Sequence, residues 1–463
     1  MRISFHGADR GVTGSCHLIE CAGKHILVDC GLYQGGRELN EENDRPFGFD
    51  PADIDYLLLT HAHLDHCGRI PLLAKRGFKG EIITTAATRE LARLVMLDAA
   101  HLQEEEAAWQ ARKAARHGNH RAAIRPLYTT LDALDALDYF GRKARYEKTL
   151  ALAKHIRVSF FDAGHILGSA NILLELEEGE HRQRVLFSGD LGYGGRAILR
   201  DPVHPPDADI VVMETTYGDR RHKQLQPSVE ELYDAINDTF HRGGNVVIPS
   251  FALERTQEIL YYLRQAVLKD RLPGAMQVFL DSPMAISATE IFRRHPECYD
   301  ADTAQLYADG HDPFSFHGLR FSRETAESMA INRIGGGAVI IAGSGMCTGG
   351  RVRHHLKHNL WRSDSSVIFV GYAARGTLAR RIIDGAKKVT IFREEIPVRA
   401  KIYTIGGFSA HADREQLLAW HSKTGKPHTT YLVHGEEDVM QTFAARLKGT
   451  KVVMPELHAA FPL

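Results

Sequence analysis

His61-Ala62-His63-Leu64-Asp65-His66 is the stretch that decides the fold. It follows Tyr56-Leu57-Leu58-Leu59, an apolar run that reads as a buried strand. A strand end is rigid, and the loop beyond it lets neighbouring side chains converge on one point. Three imidazoles and one carboxylate within six residues are a donor set suited to zinc. Other strand ends add compatible groups. Asp29 closes the strand-like segment 25–28, His165 follows 156–161, and Asp190 follows 184–188. Taken singly, each reads as a turn or cap residue. Taken together, they supply enough ligands for two metal ions, which can bridge a hydroxide and orient a phosphate for in-line attack.

A chain of 463 residues exceeds what one ordinary core holds, so two or more domains are expected. Apolar residues at 44% and charged residues at 25% are the balance of a globular protein. With 57 basic against 58 acidic side chains, a general coat of positive charge is excluded, and any nucleic-acid contact has to come from local clusters. The six cysteines (Cys16, Cys21, Cys30, Cys67, Cys298 and Cys347) contain no C-x-x-C pair. They form neither a disulfide framework nor a cysteine zinc site, and reduced thiols in the cytoplasm are the expectation. No signal peptide or transmembrane span is visible, so a membrane partner is not expected.

Outward from the histidine run, the first eighty residues read as short strands with turns, followed around 70–75 by a helix that stops near Gly77, and 81–85 reads as another strand. A long Ala-, Glu- and Arg-rich helix is expected over 88–116 and another over 131–140. Strands return at 156–161, 172–176, 184–188 and 210–214. From about 205 to 375 the pattern changes to strands at 246–249, 277–280, 338–342 and 366–370, with helices at 228–240, 256–268 and 285–294 between them. That alternation predicts a parallel-sheet α/β domain.

The ordered set Asp29, His61-x-His63-x-Asp65-His66, His165 and Asp190 resembles the metallo-β-lactamase superfamily. The resemblance implies an αββα sandwich in which one zinc takes His61, His63 and His165, a second takes Asp65 and His66, and Asp190 bridges them. Asp29 would orient ligands without binding metal. Val211-Val212-Met213-Glu214-Thr215-Thr216-Tyr217-Gly218, Gly407-Phe408-Ser409-Ala410-His411-Ala412-Asp413 and Leu432-Val433-His434-Gly435-Glu436 resemble motifs of the β-CASP nuclease branch. They imply that His434 completes the second zinc site and that His411 pairs with Glu214 near the leaving group. The organisation implied is a metallo-β-lactamase domain over 1–204 and 376–463, with an inserted β-CASP α/β domain over 205–375.

Two further segments resemble the branch. Pro249-Ser250-Phe251-Ala252-Leu253-Glu254-Arg255-Thr256-Gln257 is similar to a motif that usually has glycine where Glu254 stands. Gly343-Ser344-Gly345-Met346-Cys347-Thr348-Gly349-Gly350-Arg351 is a glycine-rich loop able to offer backbone N–H groups to a phosphate. Ser344, Gly345, Arg351 and Arg375 are the candidate RNA phosphate contacts.

A histidine at position 434 favours RNA over DNA, because DNA-cutting members often lack it. The implied activity is that of a compact bacterial β-CASP ribonuclease with two zinc ions, an endonuclease or a 5′-exonuclease acting on single-stranded RNA. A bridging hydroxide would attack phosphorus and Asp65, Glu214 and His411 would carry the chemistry, leaving 5′-phosphate and 3′-hydroxyl ends. A DNA repair nuclease of the same branch and a small-molecule metallo-hydrolase share the zinc site and stand as alternatives. The sequence leaves the oligomeric state open, a homodimer included.

Overall fold

Two seven-stranded sheets pack face to face in the first of two compact units among the described residues. The computed structural model describes residues 1–116, 125–371, 373–374 and 376–463. The first unit comprises Met1–Gly194, Asp201–Arg221 and His411–Leu463. Its first sheet runs, edge to edge, through Ala460–Pro462, Arg2–Phe5, His17–Cys21, Lys24–Val28, Tyr56–Leu58, Glu81–Thr85 and Phe140–Ala144. Its second runs through Lys451–Val453, Thr429–Val433, Ile210–Glu214, His181–Phe187, Ala170–Glu178, Ile156–Asp162 and Leu150–Ala153.

Apolar residues pointing inward from both sheets make the central layer. Ile3, Phe5, Ile26 and Val28 of the first sheet join Phe160, Ile172, Leu174 and Val185 of the second in one buried cluster. Each such side chain withdrawn from water contributes about 1.5–3 kcal/mol before entropy is counted. Helices Arg414–His421 and Glu437–Ala444 cover the outer face of the second sheet, with Leu417, Trp420, Met440 and Phe443 packed on Leu186, Val211, Met213 and Leu432. The helix Ala86–Arg116 contacts the first sheet at Glu81–Thr85 and Phe140–Ala144. The layer order is the expected αββα sandwich.

Strand direction gathers the site. Lys24–Val28, Tyr56–Leu58 and Glu81–Thr85 are parallel neighbours, so Asp29 and Thr60 leave their strands at the same edge. His181–Phe187, Ile210–Glu214 and Thr429–Val433 are also parallel, which brings Asp190, Glu214 and His434 to one edge of the second sheet. Two antiparallel pairings turn Ile156–Asp162 the same way, so His165 emerges there too.

The second unit comprises Gly195–Arg200 and His222–Ala410. It holds a six-stranded sheet with Leu319–Phe321, Gln277–Leu280, Ala338–Ala342, Val246–Pro249, Ser366–Val370 and Lys401–Ile405 all parallel. The expected boundaries shift at both ends. Ile210–Glu214 belongs to the first unit, because it hydrogen-bonds between two of that unit's strands. The expected limit at 375 falls inside the second unit, because Lys401–Ile405 pairs with Ser366–Val370. The helix expected over 131–140 is also shorter: Thr130–Ala136 is helical, and the chain then turns into the edge strand Phe140–Ala144. No described helix is long and apolar enough to cross a membrane.

Candidate active site

The histidine run leaves its strand as an extended segment and re-enters a short helix, Leu64–Cys67, capped by His63. That path is held by backbone hydrogen bonds to neighbouring loops. Ser15 N–H donates to Asp65 O at 2.9 Å, Cys30 N–H to His66 O at 2.8 Å and Leu32 N–H to Leu64 O at 2.9 Å. Gly31 allows this approach, since a Cβ there would lie 1.5 Å from the carbonyl oxygen of Asp65.

Two donor groups result, and Asp190 serves both. In the first, His61 Nε2 and His165 Nε2 each lie 3.1 Å from His63 Nδ1. Asp190 Oδ2 is 3.5 Å from His61 Nε2 and 3.6 Å from His165 Nε2. In the second, His434 Nε2 lies 3.2 Å from His66 Nε2 and 3.4 Å from Asp65 Oδ2, and Asp190 Oδ1 is 3.4 Å from His66 Nε2. Four ligands about 2.0–2.1 Å from a tetrahedral ion stand about 3.3 Å apart. The separations given above, 3.1 to 3.6 Å, lie near that spacing. Asp190 Oδ1 is also buried with no hydrogen-bond partner of normal geometry. Converging ring nitrogens and an orphaned carboxylate oxygen are what a pair of divalent cations satisfies.

In the first group, electrostatics support the same reading. Burial pushes His61 well below its ordinary pKa and His63 down to about 4, leaving neutral rings with free lone pairs. For Asp190, burial opposes ionisation, yet the charges of His434, His66 and His61 override it and hold the carboxyl well below the usual range.

Hydrogen bonds behind the ligands select the nitrogen each presents. Asp29 Oδ2 lies 2.7 Å from His66 Nδ1 and accepts the Thr60 hydroxyl at 2.8 Å, while Oδ1 accepts the Thr60 N–H at 2.8 Å. His66 therefore points Nε2 at His434 and Asp190. Thr60 Oγ1 is 3.1 Å from His61 Nδ1, and Thr216 Oγ1 is 3.1 Å from His434 Nδ1. Reading the sequence alone missed both threonines. Their only signal was adjacency, with Thr60 preceding His61 and Thr216 two residues after Glu214.

Glu214 and His411 come together beside Asp190. His411 Nδ1 is 3.4 and 3.3 Å from the two Glu214 oxygens and 3.9 Å from Asp190 Oδ2. Glu214 is buried and also accepts the Leu191 N–H at 2.6 Å. Burial would lower the His411 pKa, but Glu214 and then Asp190 outweigh it and raise it to about 9. The pair can hold a proton on an imidazole at neutral pH next to the donor groups.

The phosphate candidates lie in the second unit. Ser344 and Gly345 are half-buried in the glycine-rich loop, with Gly345 against the exposed ring of Phe251. Arg351 departs from expectation. Its guanidinium donates to buried Asp281 at 2.7 Å and to the carbonyls of Ser322 at 3.0 Å and Arg323 at 2.6 Å, so its charge is spent inside the unit. Arg375 lies outside the described residues. Glu254 is buried at the start of the helix Arg255–Leu268 with φ 63° and ψ −61°. Arg255 N–H donates to Leu253 O at 2.8 Å across it, a γ-turn of the strained hand. Glycine adopts that conformation without strain, which explains the usual residue of the motif.

Family models match in three places: a metallo-β-lactamase superfamily model over residues 9–233, a Beta-Casp domain over 256–382, and a Zn-dependent metallo-hydrolase RNA specificity domain over 395–455. The chain is 39% identical to Ribonuclease TTHA0252 of Thermus thermophilus, over 100% of both chains. It is 32% identical to the transcription termination factor FttA of Methanothermobacter thermautotrophicus, over 94% of this chain and 67% of that protein. A crystallised protein of unknown function from Enterococcus faecalis V583 shares the fold, with a TM-score of 0.56 and 13% identity over 100% of this chain and 99% of that one. The chain belongs to the metallo-β-lactamase superfamily. Within it, the chain is a member of the β-CASP branch of RNA-processing metallo-nucleases.

Proposed function

We propose that the chain is a ribonuclease that binds two zinc ions and hydrolyses phosphodiester bonds of single-stranded RNA to 5′-phosphate and 3′-hydroxyl ends. The carrying observation is that Asp190 places one oxygen beside His61 and His165 and the other beside His66 of the Asp65, His66 and His434 group, while the Glu214–His411 pair stands against it. His61, His63 and His165 would hold one ion, Asp65, His66 and His434 the other, and Asp190 both. When bound, such a pair lowers the pKa of water towards neutrality and offsets charge on a phosphoryl group.

The protein's own groups do the rest. Asp29 and Thr60 keep His66 in register. Glu214 holds the His411 proton at Nδ1, which leaves Nε2 to donate a proton to the departing 3′-oxygen. Ser344 and Gly345 are the phosphate contacts we retain, since the Arg351 side chain is committed elsewhere. Nitrogen-rich donors favour zinc over magnesium or calcium. The RNA specificity model over 395–455 and a relative named a ribonuclease support RNA as substrate.

End-labelled single-stranded RNA and DNA of one sequence, incubated with the purified protein with and without chelator, test the reading. RNA cleavage that chelation stops and zinc restores, with 5′-phosphate products, is expected. His411→Ala should lower the rate by about 10²–10⁴-fold with both metals retained. Chelator-insensitive cleavage, a 2′,3′-cyclic phosphate, or preferred cutting of DNA overturns it.

A further inference from the structure

The helix Ala86–Arg116 does two different things along its length. Its first half is core: Leu91, Ala92, Val95, Met96, Ala99 and Ala100 are buried. Beyond residue 101, Ala107 alone is buried. The opposite face carries Leu102, Glu105, Trp109, Arg112 and Arg116, all exposed, at steps of three, four, three and four residues. That is the interval at which one helix presents a stripe to another. Leu102 is 55% and Trp109 46% exposed, large apolar side chains on an otherwise charged surface.

Charge along this face is segregated. Glu105 and Glu106 precede Trp109, and Arg112, Lys113 and Arg116 follow it. The arrangement is symmetric about position 109. If a second copy packs antiparallel with a twofold axis at Trp109, residue 109−n of one helix lies level with 109+n of the other. On matching sides of the seam Glu105 then faces Arg112 and Glu106 faces Lys113, Leu102 meets the aliphatic stem of Arg116, and each pair occurs twice. A parallel pairing would set acid against acid and base against base. Small exposed side chains border the stripe at Ala108 and Ala115. In the single chain, Lys113 Nζ sits 5.1 Å from the Trp109 ring centre, so the ring already accepts a cation. Leu131 and Leu134, 65% and 43% exposed, are further large apolar side chains on the adjoining helix Thr130–Ala136. Thr130 Oγ1 ties that helix to Glu104 at 2.7 Å.

We infer that this helix face is a self-association surface, and that its partner is a second copy of the chain in antiparallel register about Trp109. The contact from 102 to 116 spans about 21 Å at about 1.5 Å per residue, less than a standard stable interface occupies. Its specificity comes from paired charges, so the dimer is concentration-dependent and weakens with salt.

Sedimentation of the full-length protein over a concentration series tests this. At low salt the mass should rise from 51.7 kDa towards twice that value, and added salt should reverse the rise. Glu105→Lys with Glu106→Arg places like charges opposite each other and should leave only monomer. Adding Arg112→Glu and Lys113→Glu restores opposite pairing and should restore the dimer. Register is read by oxidation. Trp109→Cys lies on the axis and should form an intermolecular disulfide. Leu102→Cys should not, since two such positions sit about 21 Å apart, beyond the roughly 7 Å a disulfide spans. A monomer at every concentration, failure of the fourfold charge reversal to restore association, or equal cross-linking at 102 and 109 overturns the inference.

Discussion

Replacing Asp29 with alanine should weaken one metal position and spare the other. Asp29 takes three donors in a fully buried setting: the Thr60 N–H and hydroxyl, each at 2.8 Å, and His66 Nδ1 at 2.7 Å. The last of these fixes the tautomer and tilt of His66. A buried hydrogen bond to a charged group is worth about 1.5–3 kcal/mol, which at about 1.4 kcal/mol per tenfold is about 10–150-fold in affinity. Measured effects of removing such ligand-orienting carboxylates fall in the same range, about 10–100-fold. The loss should fall on the Asp65, His66 and His434 group. The His61, His63 and His165 group makes no direct hydrogen bond to Asp29 among the described residues and meets it through Thr60, whose hydroxyl is 3.1 Å from His61 Nδ1. Competition against a chromophoric chelator, with metal content measured in parallel, should therefore show two classes of site in the variant. One keeps its affinity and the other is about 10–100-fold weaker. Cleavage should fall at limiting zinc and recover at saturating zinc. Asp29→Asn keeps the shape but not the charge and should lie between. Unchanged affinity at both positions, equal loss at both, or activity that saturating zinc does not restore would refute the reasoning.

Two further outcomes follow from buried groups outside the metal cluster. His17 lies between Phe5 and Phe187, and burial lowers its pKa to about 3. Below the ordinary value of about 6.5 the unfolded chain takes up a proton that the folded chain refuses until about pH 3, so stability falls as pH drops through that window. Melting temperature should decline less steeply between those limits in His17→Leu, and parallel declines would sink the argument. At position 254 the positive φ penalises any side chain, so Glu254→Gly should be more stable than Glu254→Ala by about 1–2 kcal/mol in denaturant unfolding. Both variants remove the carboxylate, so equal stabilities would show that the backbone carries no strain.

Much of the candidate site was legible because its proposed ligands sit at strand ends, where an apolar run stops and a polar group begins. Asp29, His61, His165 and Asp190 all follow such runs, and Glu214 and His434 repeat the pattern downstream. The unit boundaries were less legible. Lys401–Ile405 and Ile210–Glu214 look alike as isolated strands, and each is assigned to its unit only by hydrogen-bonded neighbours far away in sequence. Arg351 shows the same limit for a side chain. Its place after a glycine-rich loop suggests a phosphate contact, but buried Asp281, seventy positions earlier, claims its charge.

The sequence by itself determined the donor chemistry, the order of the ligands and the layer architecture, because periodicity and residue type are local properties. Tertiary structure alone decided which nitrogen each histidine presents, how Asp190 divides its two oxygens, and that the Arg351 charge goes to Asp281. Those outcomes depend on parallel strand registers and on hydrogen bonds such as Asp29 to His66 and Thr216 to His434, between groups that only folding brings together.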